Sequence, residues 1–440
     1  MSRCVALALA LAGMACFAQP PEELRGDGAL RVLVQEALEA KPELAELVAQ
    51  TRAAQERVPQ AGAWPEPMLQ VGVQNDSFNR WQVGTMETSW VSFMASQTFP
   101  FPGKVGLREA VARADVRLTE LQVDRMRLST IAEVRRGYLA LQLVRERKSL
   151  LEQLVALSKR LVEVARIRLE SGAGAQSEVL RAQVELSRVN QRRYLLEAEE
   201  RLETEALNRL RRQPLDKQIE TTSRLSTAPM PSLLSQEEFL ELARQHSPEL
   251  LRAQAAVNRA EGSVSLAQRS YFPDLSVSAG VMLRGKLDPM WALTVGVPLP
   301  VFAGTRQSRA VSEAEAQSQA AGSGVAVVEQ LLALRAHQRV EAMKALQAVF
   351  RNYQEGLLVQ AAAAAESTMT QYIAGRATFA AVLEANAVFI AETESSIQIL
   401  AGAWRLVIAQ DEMTLAGGDS ASPVPQGSGT VTTTSSAAGM

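Results

Sequence analysis

The chain switches between two hydrophobic periods, and the switch recurs. Leu275, Val277, Ala279, Val281 and Leu283 alternate with Ser276, Ser278, Gly280, Met282 and Arg284. A period of two, with one apolar face and one mainly polar or small face, predicts a strand. Trp291, Leu293, Val295, Val297 and Leu299 alternate with Ala292, Thr294, Gly296 and Pro298, which predicts its partner. A weaker pair precedes them: Leu69, Val71 and Val73 against Gln70, Gly72 and Gln74, then a strand over roughly residues 85–99. Elsewhere the period lengthens. From Lys104 to about Glu170 there is no proline, and the only glycines are Gly106 and Gly137. Leu150, Leu154, Leu157, Leu161 and Val164 alternate spacings of four and three, a coiled-coil seam. Leu107, Ala114, Leu121 and Leu128 repeat every seven. Such a helix spans roughly 100 Å at 1.5 Å per residue. After a break at Ser171-Gly172-Ala173-Gly174, helix is expected to about Arg212. A second long helix is expected from about Thr305 to Tyr372, breaking near Gly375 and continuing to about Leu415.

The two halves read as one unit written twice. Leu33-Val34 with Ala37 and Pro42-Glu43-Leu44 recurs as Phe239-Leu240 with Ala243 and Pro248-Glu249-Leu250. Trp64-Pro65-Glu66-Pro67 matches Tyr271-Phe272-Pro273-Asp274, and Phe99-Pro100-Phe101-Pro102-Gly103 matches Leu299-Pro300-Val301-Phe302-Ala303-Gly304. Gly172 with Val179-Leu180-Arg181-Ala182 matches Gly375 with Val382-Leu383-Glu384-Ala385. Four anchors in one order, at offsets of 206, 208, 200 and 203 residues, indicate duplication. The expected organisation is a leader over 1–18, a first repeat over 29–212, a linker over 213–234, a second repeat over 235–416 and a disordered tail over 417–440. Ser235 and Glu238 form a capping-box pattern that starts the second repeat.

Alternating segments of about ten residues are the signature of transmembrane barrel strands. Trp64, Trp81, Trp90 and Trp291 fall in or beside them, as an aromatic girdle requires. Each strand alone fits a soluble sheet with one face on a core equally well. Four strands cannot close a barrel, because eight is the smallest usual number. An open edge in lipid leaves backbone groups unpaired. A membrane reading therefore requires several copies of the chain to pool their strands.

Composition narrows the function. Arg3, an apolar run from Val5 to Phe17 and small residues up to Ala18 form the three-part plan of a secretory signal peptide. Cleavage after Ala18 is the expected outcome; the rival reading makes Cys16 a lipid-bearing cysteine. Both cysteines, Cys4 and Cys16, lie in this leader, so a chain cut after Ala18 carries no thiol chemistry. The formal net charge of −2 argues against nucleic acid as a partner. The two histidines, His246 and His337, lack a second ligand at helical spacing, so no metal site is expected. No nucleophile–base pair, phosphate loop or paired-carboxylate site stands out, so neither an enzyme nor a cofactor is expected.

A duplicated unit of strand pair and long helix pair behind a signal peptide resembles the TolC family of outer-membrane efflux proteins, over about residues 30–416. The resemblance implies a mainly α protein with a membrane β-barrel, in which three protomers pool four strands each into twelve. It also implies a helical tunnel across the periplasm, in lipid contact at the outer membrane. The implied partners are a periplasmic adaptor protein and an inner-membrane pump, expected to be proton-driven (RND type). Gln97-Thr98-Phe99-Pro100-Phe101-Pro102-Gly103-Lys104 is similar to heavy-metal efflux members of the CzcC and CusC type. A duct for protein secretion with an ATP-driven pump, and a periplasmic coiled-coil scaffold without a pore, are the alternatives.

The resemblance also assigns residues. Ser171, Gly172, Gly174, Gly375 and Arg376 fall on the two helical turns that meet the adaptor. Tyr372 matches a gate tyrosine, Glu178 its acidic partner and Ser177 a hydroxyl partner. Glu384 matches one inward acid of the constriction; symmetry-related copies of it would favour cations. The other acid is replaced by Ala381. The gate arginine position holds Ala377, with Arg376 one residue early.

Overall fold

The computed structural model describes residues 27–221, 224–413 and 415. The expected leader (1–18) with Cys16 and the expected tail (417–440) lie outside these residues. In chain order the elements are α1 (Gly28–Ala40), α2 (Pro42–Ala61), β1 (Met68–Gln74), β2 (Trp90–Phe99), α3 (Lys104–Glu170) and α4 (Gln176–Leu210). The same order then returns as α5 (Gln236–His246), α6 (Pro248–Arg269), β3 (Leu275–Arg284), β4 (Leu287–Gly296), α7 (Gln307–Asn352), α8 (Leu358–Ile373) and α9 (Phe379–Glu412). Among the described residues no helix is long and apolar enough to cross a membrane.

The chain divides into two compact units. One comprises Glu43–Arg125 and Pro248–Gln330 and holds the sheet. The strands pair antiparallel in the order β1-β2-β3-β4. Partners across a ladder share a face, so the register fixes what each face carries. One face joins Leu69, Ala95, Ala279 and Leu293 in one row, then Val71, Phe93, Val281 and Trp291 in the next. These rows are apolar across all four strands, and Leu69, Val71, Phe93, Val281, Trp291 and Leu293 are exposed. The other face carries Gln70, Ser92, Ser96, Ser276, Ser278 and Thr294 among glycines and methionines. Glycines here make room for cross-strand partners. A Cβ on Gly72 would stand 2.9 Å from Ser92 Oγ, and one on Gly296 would stand 2.7 Å from Ser276 Oγ. Ser276 Oγ donates instead to the Gly296 carbonyl at 3.0 Å.

Two strand boundaries differ from the sequence expectation. β2 begins at Trp90 rather than near residue 85, because Thr85 and Met86 close a turn on the Gln82 carbonyl. β4 runs Leu287–Gly296, so Val297 and Leu299 lie beyond it. Pro298 and Pro300 have no N–H to give a ladder, and Gly285 (φ +63°) turns the chain only two residues before β4 starts.

Where β2 passes into α3, the Pro-Phe-Pro-Gly-Lys segment is fastened to its counterpart before β3. Asp274 accepts from the Phe101 amide at 2.9 Å and from Lys104 Nζ at 2.7 Å. Phe101 stacks on Phe272, ring centroids 4.6 Å apart, and Gly103 turns the chain at φ +90°. Burial alone would raise the Asp274 carboxyl. The Lys104 ammonium, the Phe101 amide and the nearby Arg108 charge outweigh it and hold that carboxyl below its ordinary range. A depressed carboxylate stabilises the fold above its ordinary pKa, and this is lost as pH falls through the lowered value. Asp274→Asn is therefore expected to lose roughly 1.5–3 kcal/mol at neutral pH, since it leaves the buried Lys104 unpaired. The check is thermal unfolding of both forms against pH: the gap should close below pH about 4.

Among the described residues, the second unit gathers 27–42, those of 126–247, and 331–413. One of its cores packs Leu139, Leu346, Leu400, Trp404 and Val407. Another packs α1 through Leu30, Leu33 and Ala37 against Val134, Tyr138, Leu141 and Leu207. Gly137 has a steric reason to sit inside α3: a Cβ there would come within 2.8 Å of Leu207 Cδ2. The expected capping box is present, Ser235 Oγ accepting from the Glu238 amide at 3.2 Å and Glu238 accepting from the Ser235 amide at 2.9 Å. The long helix expected to reach Tyr372 unbroken is instead interrupted by a π turn at Tyr353–Leu357. The segment contains Gly356, which resists such local widening least.

Candidate functional site

The two turns that join α3 to α4 and α8 to α9 are built alike. The Ala173 amide donates to Arg168 O (2.9 Å) and the Gly172 amide to Leu169 O (3.0 Å). The Arg376 amide donates to Gln371 O (2.7 Å) and the Gly375 amide to Tyr372 O (3.0 Å). Both are Schellman endings, which need a left-handed residue at the position after the helix. Gly172 (φ +73°) and Gly375 (φ +74°) supply it. Thr378 then caps α9, its Oγ1 accepting from the Ala381 amide at 3.3 Å.

Tyr372 lies just before the second turn and is 1% exposed. It packs with Leu161, Ala182, Phe379 and Val382, its ring edge-on to Phe379 at 5.7 Å. Its hydroxyl donates to Glu178 Oε2 at 3.3 Å, joining the α8 end to the α4 start. Burial first, then the Glu178 charge and the bond to it, raise the phenol above its ordinary value, so it stays protonated at neutral pH.

Arg168 was not singled out in the sequence, yet it ties the two turns together. Nη1 donates to Tyr372 O at 2.7 Å and Nη2 to Ala173 O at 3.1 Å, while the guanidinium lies 4.8 Å from the Tyr372 ring centroid. The signal was present: a cation four residues before a turn glycine suits the free carbonyls of a helix end. Its capture of a second helix end could not be read locally. Arg168→Ala is expected to speed amide exchange at Ala173 and Arg376 roughly tenfold, as loss of about 1.4 kcal/mol implies. Unchanged exchange at Arg376 would show that the tie has no effect on the second turn.

The remaining sequence candidates are placed as follows. Ser171, Gly172, Gly375 and Arg376 are exposed on the turns, and Gly174 is half-buried beside Arg168. Ser177 is exposed and outside the Tyr372–Glu178 link. Glu384 is exposed on α9, apart from that link. Ala377 is a partly buried apolar contact of the Tyr372 cluster. Among the described residues no group of His, Cys, Asp and Glu could hold a metal ion.

A four-stranded sheet whose exposed face is apolar except for Gln97, set in a chain of very long helices, is the pattern expected of a channel-type membrane protein. Residues 33–212 and 239–407 match the family model of the outer membrane efflux proteins, and the chain belongs to that family. Its place is the cell outer membrane, with the long helices in the periplasm. The chain is 25% identical over 275 residues to the nickel-cobalt-cadmium resistance protein NccC of Alcaligenes xylosoxydans xylosoxydans; the match covers 61% of this chain and 60% of that relative. The fold is that of the outer-membrane channel OprN (TM-score 0.72, 17% identity, 92% of this chain and 93% of that one). It is equally that of VceC from Vibrio cholerae (TM-score 0.72, 20% identity, 89% and 97%). CusC, whose structures describe transmembrane channel formation, gives a TM-score of 0.71 at 17% identity over 89% and 93%.

Proposed function

We propose that three copies of this chain form a passive exit duct of a tripartite efflux system for metal cations. The observation that carries this is the open four-stranded sheet. Its apolar face suits lipid, and β1 and β4 each have one ladder partner, so closure needs strands from other copies. Each copy contributes a repeat over 29–212 and another over 235–416, joined by residues 213–234. The exposed turns at Ser171, Gly172, Gly174, Gly375 and Arg376 suit docking of a periplasmic adaptor, and through it an inner-membrane pump. Tyr372 and Glu178 form a link that holds the tunnel end shut, with Glu384 exposed where symmetry-related acids favour cations. The chain performs transport without catalysing a reaction. The metal reading is supported by the resistance named for NccC and by the Pro-Phe-Pro-Gly-Lys segment.

Deleting the gene and measuring tolerance to nickel, cobalt, cadmium, zinc, copper and silver tests this reading. Lower tolerance to at least one cation, restored by the intact gene, is expected. Unchanged tolerance to all six would overturn the metal assignment.

A further inference from the structure

Every methionine in the sheet sits on the same face. Met68 pairs with Ser96, Met94 with Gly280, and Met282 with both Ser92 and Met290, so all four share the face of the serines, threonine and glutamines. The apolar face, where a methionine would cost nothing, is built from Leu, Val, Phe, Ala and Trp, with Gln97 its polar exception. Methionine usually fills gaps in a core, and the Ser/Thr/Gln face has no core to fill.

Three of the four occupy neighbouring register positions. Met282 and Met290 stand directly opposite across β3 and β4, which sets their Cβ atoms about 4.5–5.5 Å apart. Met94 sits opposite Gly280, two residues from Met282 on the same face, a diagonal that long side chains reach. The glycine makes room: a Cβ on Gly280 would clash with the Phe93 carbonyl oxygen and stand 2.7 Å from Met94 Cγ, so the Met94 side chain starts out over Gly280. All three are half-buried. The charged side chain at this end of β3, Arg284, is engaged, its Nε donating to the Asp288 carbonyl at 2.9 Å.

We infer that Met94, Met282 and Met290 form a thioether site for a soft monovalent cation, Cu(I) or Ag(I). Thioether sulfur is a soft, uncharged donor that selects such ions over zinc, nickel or cobalt, which prefer imidazole or carboxylate. The inference rests on the duct reading in one respect only: that reading turns the serine face toward water. It also deepens it, by adding soft monovalent ions to a duct whose named relative concerns divalent ones. Three pooled copies would line the passage with three such sites.

The test is titration of the full-length protein, purified in detergent and labelled with ¹³C at the methionine methyls, with Ag(I) and separately with Zn(II). Ag(I) is expected to shift the Met94, Met282 and Met290 methyl signals together, and Zn(II) to leave them in place. The triple variant Met94→Leu, Met282→Leu and Met290→Leu, which conserves volume and should keep the fold, is expected to bind Ag(I) at least tenfold more weakly. Equal Ag(I) affinity in the variant, or unmoved signals in the parent, would overturn the site while leaving the duct reading intact. Ag(I) binding that depends on the three methionines, in a protein whose deletion leaves metal tolerance unchanged, would uphold the site and sink the metal-efflux assignment instead.

Discussion

Ala279→Arg is expected to abolish assembly in the outer membrane, whereas the adjacent Ser278→Arg is expected to leave it nearly intact. Ala279 stands mid-strand in β3, exposed, in the apolar row with Leu69, Ala95 and Leu293. An arginine on a lipid-facing strand position costs roughly 2–4 kcal/mol at the bilayer midplane. Each pooled copy would bear that cost, so the assembly loses about three times as much. Ser278 pairs with Ser96 and Thr294 on the opposite face, where a cation meets water. The readout is the amount of heat-resistant oligomer in detergent-extracted outer membrane. Equal yields from the two variants would mean that the faces are assigned the wrong way round or that the sheet does not enter lipid.

Tyr372→Ala is expected to produce the second large effect, a duct that conducts without its partners. Truncating a fully buried aromatic costs roughly 3–5 kcal/mol, and here it empties the cluster of Leu161, Ala182, Phe379 and Val382. It also removes the ring over which Arg168 lies and the hydroxyl that reaches Glu178. Tyr372→Phe deletes only the hydroxyl bond, worth about 1 kcal/mol, and is expected to open the duct only slightly. Single-channel conductance in planar bilayers separates them: alanine should raise the open fraction strongly, phenylalanine weakly. Because the Tyr372 phenol is raised by burial and by Glu178, its contribution is complete below the ordinary tyrosine value and lost as pH climbs past the raised one. Parent channels should therefore stay shut through neutral pH and loosen only above about pH 10. Conductance of the alanine variant equal to that of the parent would remove Tyr372 from the gate.

The strands and long helices were legible because their periods extend over many residues. Alternation at Leu275–Leu283 and the heptads from Leu107 onward each sum weak preferences into one answer. Boundaries were less legible where single residues decide them, as with the turn on Gln82 that delays β2 and the prolines that end β4 early. The π turn at Tyr353 was not legible, since its only trace is a one-residue shift in the phase of a loosely spaced apolar stripe. At the site, Tyr372 and Glu178 were reached through the family resemblance, and the structure brings their side chains together. Arg168 and Asp274 were missed for a common reason. Each bonds to groups about 170 to 200 residues away, and no local pattern records such a partner. The methionine cluster was likewise hidden, because Met94 and Met282 meet only once the register of β2 and β3 is known.

A membrane duct requires copies of this chain to close the sheet between them. Native mass spectrometry of the protein extracted from the outer membrane in detergent tests this directly. A mass of three chains is the predicted result, and a single chain, or protein recovered without detergent, would contradict it.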